Sequence, residues 1–248
     1  MPEWLTAELS AELARGVAVT VVLTIVTSLG AFAVGLAAAI ARRSDKRPVR
    51  MAATTFVETF RNVPALILLI FFAFAVPNLF SPDLRRTLFF ANPLVDLAKT
   101  LTTLTLPYYA FAAAFALILN TGAHLSEVIR PGMDAVPASR IEVARSLGAS
   151  ARTVHRTVVI PDGLRVAFPA IVNRLVHNLK NTALVSFVAV PDLYQEIQAA
   201  ITATFRATPL LVLAAVLYLA LATVLEFGLG RIERALWRGR PIDRTLDV

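Results

Sequence analysis

Long uncharged, apolar stretches alternate with short polar ones along this chain. The uncharged runs occupy 16–41, 62–80, 100–126 and 207–225. A helix needs about 20 mostly apolar residues to cross a bilayer, and each run has or approaches that length. A fifth stretch, 166–190, carries Arg174, His177 and Lys180. Charges at membrane depth persist only where they face protein or water, so this stretch is expected to span with its polar side turned from lipid. The first run is preceded by Glu3, Glu8 and Glu12 rather than by a basic region, and its apolar core is too long for a signal peptide.

Charge decides between four and five spans. With five, the stretches 42–61, 127–174 and 231–244 fall on one side and hold eighteen of the 24 Lys and Arg residues. The opposite side holds Arg15, Arg85, Arg86, Lys99 and Arg206. Basic loops stay in the cytoplasm, so the N-terminus is expected outside and the C-terminus inside. Four spans would put the basic tail outside, against that rule. The expected architecture is an all-α membrane protein with about five transmembrane helices. It forms one domain over 1–248, with an outer loop at 81–99 punctuated by Pro82 and Pro93. Trp4 and Trp237 suit interface anchors.

Composition supports this class. Hydrophobic residues make up 57% and charged residues 17%, against about 25% charged in a typical soluble domain. The chain has no cysteine, which excludes thiolate metal sites and thiol catalysis, and its three histidines are scattered. No metal site is expected. The net charge of +7 reads as topology-setting arginine rather than nucleic-acid binding. No phosphate-cradling G-x-x-x-x-G-K-[ST] occurs, so the chain should not hydrolyse ATP itself and should hold no cofactor of its own.

The longest inner loop, about 134–165, is polar and patterned. Ser139 and Glu142 have the spacing of a capping box. Gly148 suits the left-handed position that ends a short helix, and a second short helix can run from Ser150 until Pro161 limits it. Ile141, Ala144, Leu147 and Gly148 share a face. A plain surface connector, with Glu142 only capping, is the structural alternative. In the fifth stretch Asn173, Arg174, His177, Lys180, Asn181 and Thr182 form a polar line. It lines a substrate path or pairs structurally with backbone carbonyls, Glu58 or Glu226. Glu58, Arg61 and Pro64 open the second span. Arg61 alone could be a positive-side anchor, Pro64 a first-turn proline, and His124 a packed histidine.

The loop resembles the cytoplasmic "EAA" signature of integral-membrane subunits of ABC importers: E-A-A, three residues, G, nine residues, I-x-L-P. Here it reads Glu142-Val143-Ala144, Gly148, then Val158, Ile160 and Pro161. The stretches "VETFRNVPALI", "NTGAHLSEVIRPGMDAVP" and "NLKNTALVSFVAVPDL" are similar to the polar amino-acid branch of that family. The chain departs from the branch at His124, Arg140 and Asn181-Thr182-Ala183.

The resemblance implies a type I importer permease fold in a bacterial plasma membrane. It further implies a coupling helix built from Glu142, Ala144, Arg145, Gly148, Ala149, Arg152 and Pro161, docking on an ATPase. A substrate path is implied along Glu58, Arg61, Pro64, Asn120, His177, Lys180, Asn181 and Thr182. The expected partners are two cytoplasmic ATPase subunits that bind ATP and Mg, a second permease subunit (identical or similar), an extracytoplasmic amino-acid-binding protein and membrane lipid. Uptake of a quaternary amine or an opine by the same kind of permease is the alternative within transport. An ion-driven transporter, lacking repeats and intramembrane acids, and a membrane scaffold, which leaves the loop motif unexplained, are the alternatives outside it.

Overall fold

The computed structural model describes residues 7–87 and 108–237. Trp4, Pro93, Lys99, positions 100–107 of the third expected span and the basic residues after Trp237 lie outside the described residues. Among those described the chain is helical, with no strand. The helices are α1 (Ala7–Ala41), α2 (Arg47–Asn62), α3 (Ala65–Ile70), α4 (Pro82–Arg85), α5 (Tyr108–Asp134), α6 (Ala138–Ser146), α7 (Ala151–Val154), α8 (Ile160–Asn181), α9 (Leu193–Thr204) and α10 (Ala207–Leu236). α3 runs on through a π-helical stretch, Phe71–Ala75, and a last turn, Val76–Asn78. α8 runs on into a 3-10 stretch, Thr182–Val188.

α1, α5 and α10 are each long and apolar enough to cross a membrane, and α2 with α3 makes a fourth crossing if that bent pair is counted as one. α8 has the length of a span, about 33 Å for its 22 residues. Asp162, Arg165, Arg174 and Lys180 make it too polar to qualify by composition, as expected for a helix whose polar side avoids lipid. The second expected span differs in detail: α2 and α3 meet at 103° around Val63 and Pro64. Pro64 is the N-cap of α3 rather than a first-turn residue. Proline disfavours helical geometry at the residue before it, and Val63 is indeed extended.

α5 is the central post. α1 packs along its length, α8 on a second side, and α2 and α3 on a third. Small residues allow these approaches, as membrane helix pairs require. A Cβ on Gly35 of α1 would come within 2.8 Å of the Gly122 carbonyl oxygen on α5. A Cβ on Gly132 of α5 would stand 2.5 Å from the Gly163 carbonyl oxygen on α8. Hydroxyls inside α1 bond backwards along their own helix: Thr24 donates to the Thr20 carbonyl and Thr27 to the Leu23 carbonyl, both at 2.7 Å. Outward apolar side chains such as Leu29, Leu219 and Val224 are exposed, as lipid-facing positions should be.

Two buried polar knots fix the bundle. Asn178 of α8 is fully buried. It donates to Thr27 (2.8 Å) and Ser28 (3.2 Å) of α1 and accepts from Thr121 of α5 (2.9 Å). Asp192 is buried as well. Its Oδ1 accepts the Gln195 N–H (3.0 Å) as the cap of α9, while its Oδ2 accepts the Tyr218 hydroxyl of α10 (3.0 Å). The adjacent Leu193 N–H donates to Thr20 of α1 at 3.0 Å. An unmet polar group in this setting would cost several kcal/mol.

Candidate functional site

The loop between α5 and α8 is a built object. α6 starts after Pro137, whose extended ψ of 135° makes it the N-cap, and no side chain caps the helix. The expected Ser139–Glu142 capping box is therefore absent. Proline takes the boundary, so Ser139 falls inside the first turn, where its hydroxyl no longer faces the free amides. Arg140 instead pins this end to Asp162 of α8 at 2.8 Å. At the other end Gly148 adopts φ +81°. The Gly148 N–H donates to the Arg145 carbonyl (2.9 Å) and the Ala149 N–H to the Ala144 carbonyl (3.1 Å), the paired bonds of a Schellman stop. Ser150 then caps α7, accepting the Thr153 N–H at 3.2 Å.

Pro161 does not end the second helix, contrary to expectation. α7 continues through a π-helical turn, His155–Val159, directly into α8. Proline lacks an N–H and crowds the carbonyl four residues back. The wider π turn just before Pro161 makes room for it. α7, the π turn and α8 are one continuous rod, and the Gly148 stop sets α6 off from it.

Ile141, Ala144, Ala149, Val154 and Val159 pack on the core formed by Leu125, Ile129, Met133 and Ile171. Leu147 does not join that face; it is 83% exposed and Val143 60%. Leu147 is the C-cap residue, past the last regular turn, so helical spacing no longer governs its direction. Glu142, Arg145 and Arg152 are exposed as well. Burial lowers the pKa of the nearby His155, and Arg43 lowers it further.

The polar face lies on α8. Asn173, His177 and Lys180 are exposed, Arg174 and Asn181 are half-buried, and Thr182 is buried, its hydroxyl donating to the Leu179 carbonyl at 2.7 Å. Neither Arg174 nor Lys180 pairs with Glu58, Glu226 or any other carboxylate among the described residues. His124 of α5 lies within electrostatic range of Arg174, His177, Arg61 and Glu127. Below them runs a chain of ion pairs. Arg61 meets Glu58 at 3.0 Å and Glu127 at 3.2 Å, and Glu127 meets the buried Arg42 at 2.5 Å. Arg43 and Arg130 both pair with Asp134 alongside. Asn120 stands apart. Its amide donates to the Phe60 carbonyl (2.8 Å) and the Val63 carbonyl (3.4 Å), closing the backbone left open by the α2–α3 break.

Glu58, Arg61 and His177 thus come together with three residues not anticipated there: Glu127, Arg42 and His124. Asn120, Thr182 and Pro64 serve other surroundings. Trp237 stacks edge-on against Phe168 with ring centroids 4.9 Å apart. Asn178 and Asp192 were missed. Asn178 was hidden among the polar residues beside it, His177, Lys180 and Asn181, and Asp192 carried only the spacing of a helix cap to Gln195.

Residues 31–238 match the family described as "binding-protein-dependent transport system inner membrane component". The chain belongs to that family. Curated relatives agree over most of both lengths. The glutamine transport system permease protein GlnP of Escherichia coli strain K12 is 29% identical over 207 residues, covering 84% of each chain. The arginine transport system permease protein ArgU of Corynebacterium glutamicum is 28% identical over 83% of this chain and 62% of its own. In fold, the chain is similar to an amino acid ABC transporter crystallised with histidines (TM-score 0.71, 24% identity, covering 92% of this chain and 95% of that one). It is also similar to the inward-facing MetNI methionine transporter (TM-score 0.69, 19% identity, covering 94% and 99%). The chain is therefore a multi-pass membrane component of a transport system, with the type I importer permease fold.

Proposed function

We propose that this chain is the permease subunit of an ATP-driven importer of polar amino acids in a bacterial plasma membrane. Relatives named for glutamine and arginine transport, aligned over more than four fifths of the chain, support the substrate class. The observation that carries the mechanism is the rod that begins just past the Schellman stop, at α7, and runs without a break into α8. Leu147 and Val143 are the apolar knob that enters a groove of the cytoplasmic ATPase. Glu142, Arg145 and Arg152 supply charged contacts around it. Ala144 and Ala149 hold the loop to the core, and Gly148 sets its angle. Pro161 with its π turn carries motion into the span.

ATP and Mg bind the partner ATPase, two copies of which close and push two permease subunits. An extracytoplasmic binding protein delivers substrate to the opposite face. The N-terminus is outside and the C-terminus inside. Substrate passes the polar face of α8, with Glu58, Arg61, His177, Lys180 and Asn181 on the path, while Asn120 braces the α2–α3 break and Thr182 the end of α8.

Co-purification tests this reading: the chain should carry an ATPase subunit whose activity rises when a loaded binding protein is added. Because the chain has no cysteine, a single one at Ser150 reports topology. Labelling by an impermeant reagent outside intact cells would overturn the orientation, and an ATPase-free preparation that still transports would overturn the mechanism.

A further inference from the structure

The α8 face carries more positive charge than a path for neutral amino acids requires. Arg174, His177 and Lys180 recur every three residues, so they climb the helix in steps of about 4.5 Å. Arg174 and Lys180 have no partner of opposite charge among the described residues. At the foot of the row, Arg42 and Arg61 share Glu58 and Glu127. These four cations outnumber the two carboxylates, both of which are already held by Arg42 and Arg61, and His124 lies within electrostatic range of Arg174, Arg61 and Glu127. Uncompensated cations at membrane depth are costly, so this face meets water or a counter-charge. Among the described residues the rest of the bundle supplies none. Asp192 is committed to Gln195 and Tyr218, and Glu226 forms no ion pair with the row.

We propose that the row Lys180–His177–Arg174 is a relay for a side-chain carboxylate, and that the importer passes acidic amino acids in preference to neutral or cationic ones. The proposal rests on the transport reading above and narrows its substrate class. A neutral amino acid brings an ammonium and a carboxylate that cancel. A second carboxylate leaves one net negative charge, which the surplus on α8 offsets. A guanidinium side chain would add to the surplus and be repelled. Arg174 offers a planar fork matched to a carboxylate, while Lys180 is a mobile point charge. Several closely spaced weak sites favour passage over trapping, because each hands the anion to the next.

The test is uptake of radiolabelled L-glutamate, L-glutamine and L-arginine by cells whose uptake depends on this chain. The variants are Arg174→Gln, Lys180→Gln, both together, and Arg174→Lys. The binding protein also selects, so it is left unaltered and each variant is compared with wild type for each amino acid. Wild type should prefer glutamate. The double variant should lose glutamate uptake by about tenfold or more, as expected for a lost charged hydrogen bond. Glutamine uptake should change by no more than about fivefold, the effect of a neutral one. Arg174→Lys should restore most glutamate uptake. A wild-type preference for glutamine or arginine would overturn the proposal, as would an equal loss for all three amino acids. A fall in the amount of assembled complex would also overturn it, because the counter-charge would then come from a second copy of the chain. Chain-dependent uptake of none of the three would instead refute the broader transport reading.

Discussion

Gly148 can be tested in a way that separates backbone strain from crowding. Its φ of +81° lies in the left-handed region, yet a Cβ placed on it would meet nothing within 4 Å. Any cost of substitution is therefore conformational, and side-chain size by itself is free. Left-handed geometry costs an ordinary L-residue roughly 1–2 kcal/mol, while asparagine bears it more easily through local hydrogen bonding. The expected order of function is glycine, then asparagine, then alanine, then valine, whose β-branch is least tolerant of φ above zero. A loss of 1–2 kcal/mol lowers the population of the correctly turned loop by about 5- to 30-fold. The Arg145 and Ala144 carbonyls would lose their partners in that fraction. The assay is ATPase stimulation by a loaded binding protein in proteoliposomes, alongside the melting temperature of the membrane subunit. Stimulation should fall in that order while the melting temperature moves little, because the loop lies at the edge of the core. Equal activity of asparagine, alanine and valine variants would refute the strain argument. A loss that tracked side-chain volume instead would mean that an ATPase surface fills the open space around Gly148.

Glu142 caps nothing among the described residues, so Glu142→Ala should leave thermal stability unchanged and lower ATPase stimulation; the reverse pattern would return it to a structural role. Asn178→Ala should destabilise the subunit by about 2 kcal/mol, from three interhelical hydrogen bonds at roughly 0.6 kcal/mol each, read as an earlier unfolding transition in detergent. Gly163→Ala should reduce the yield of monodisperse protein sharply, because the new Cβ would stand 2.6 Å from the Met133 Cα; a wild-type yield would show that α5 and α8 can part there at little cost.

The apolar runs were legible because hydrocarbon imposes its length and purity on any helix that faces it. Gly148 was legible because only one backbone geometry makes glycine useful at that point. The 103° break at Val63 and Pro64 was not, since proline is equally at home in a first turn and Asn120, which closes the gap, lies 57 positions from Val63. The absent capping box shows local spacing losing to a neighbour: Pro137 claims the boundary that Ser139 could have held. Counting every third residue from Arg174 led to the basic row and passed over Asn178. That residue sits next to His177 in sequence, about 100° further round the helix, and is buried in the core. Glu127 and Arg42 entered the ion-pair chain only through tertiary contact, 85 positions apart.

The π turn before Pro161 has a further consequence. It makes α7 and the basic row fixtures on a single shaft, locked in angular phase, with α6 and its knob held beside that shaft by packing on the same core. Inserting or deleting one residue between His155 and Val159 turns everything beyond it by about 100°. The knob would then point away from its groove while the row kept its face, or the row would swing toward lipid while the knob stayed docked. Chain length in this turn is therefore held more tightly than residue identity. A substitution there perturbs one fixture, whereas a change in length decouples the engine from the gate.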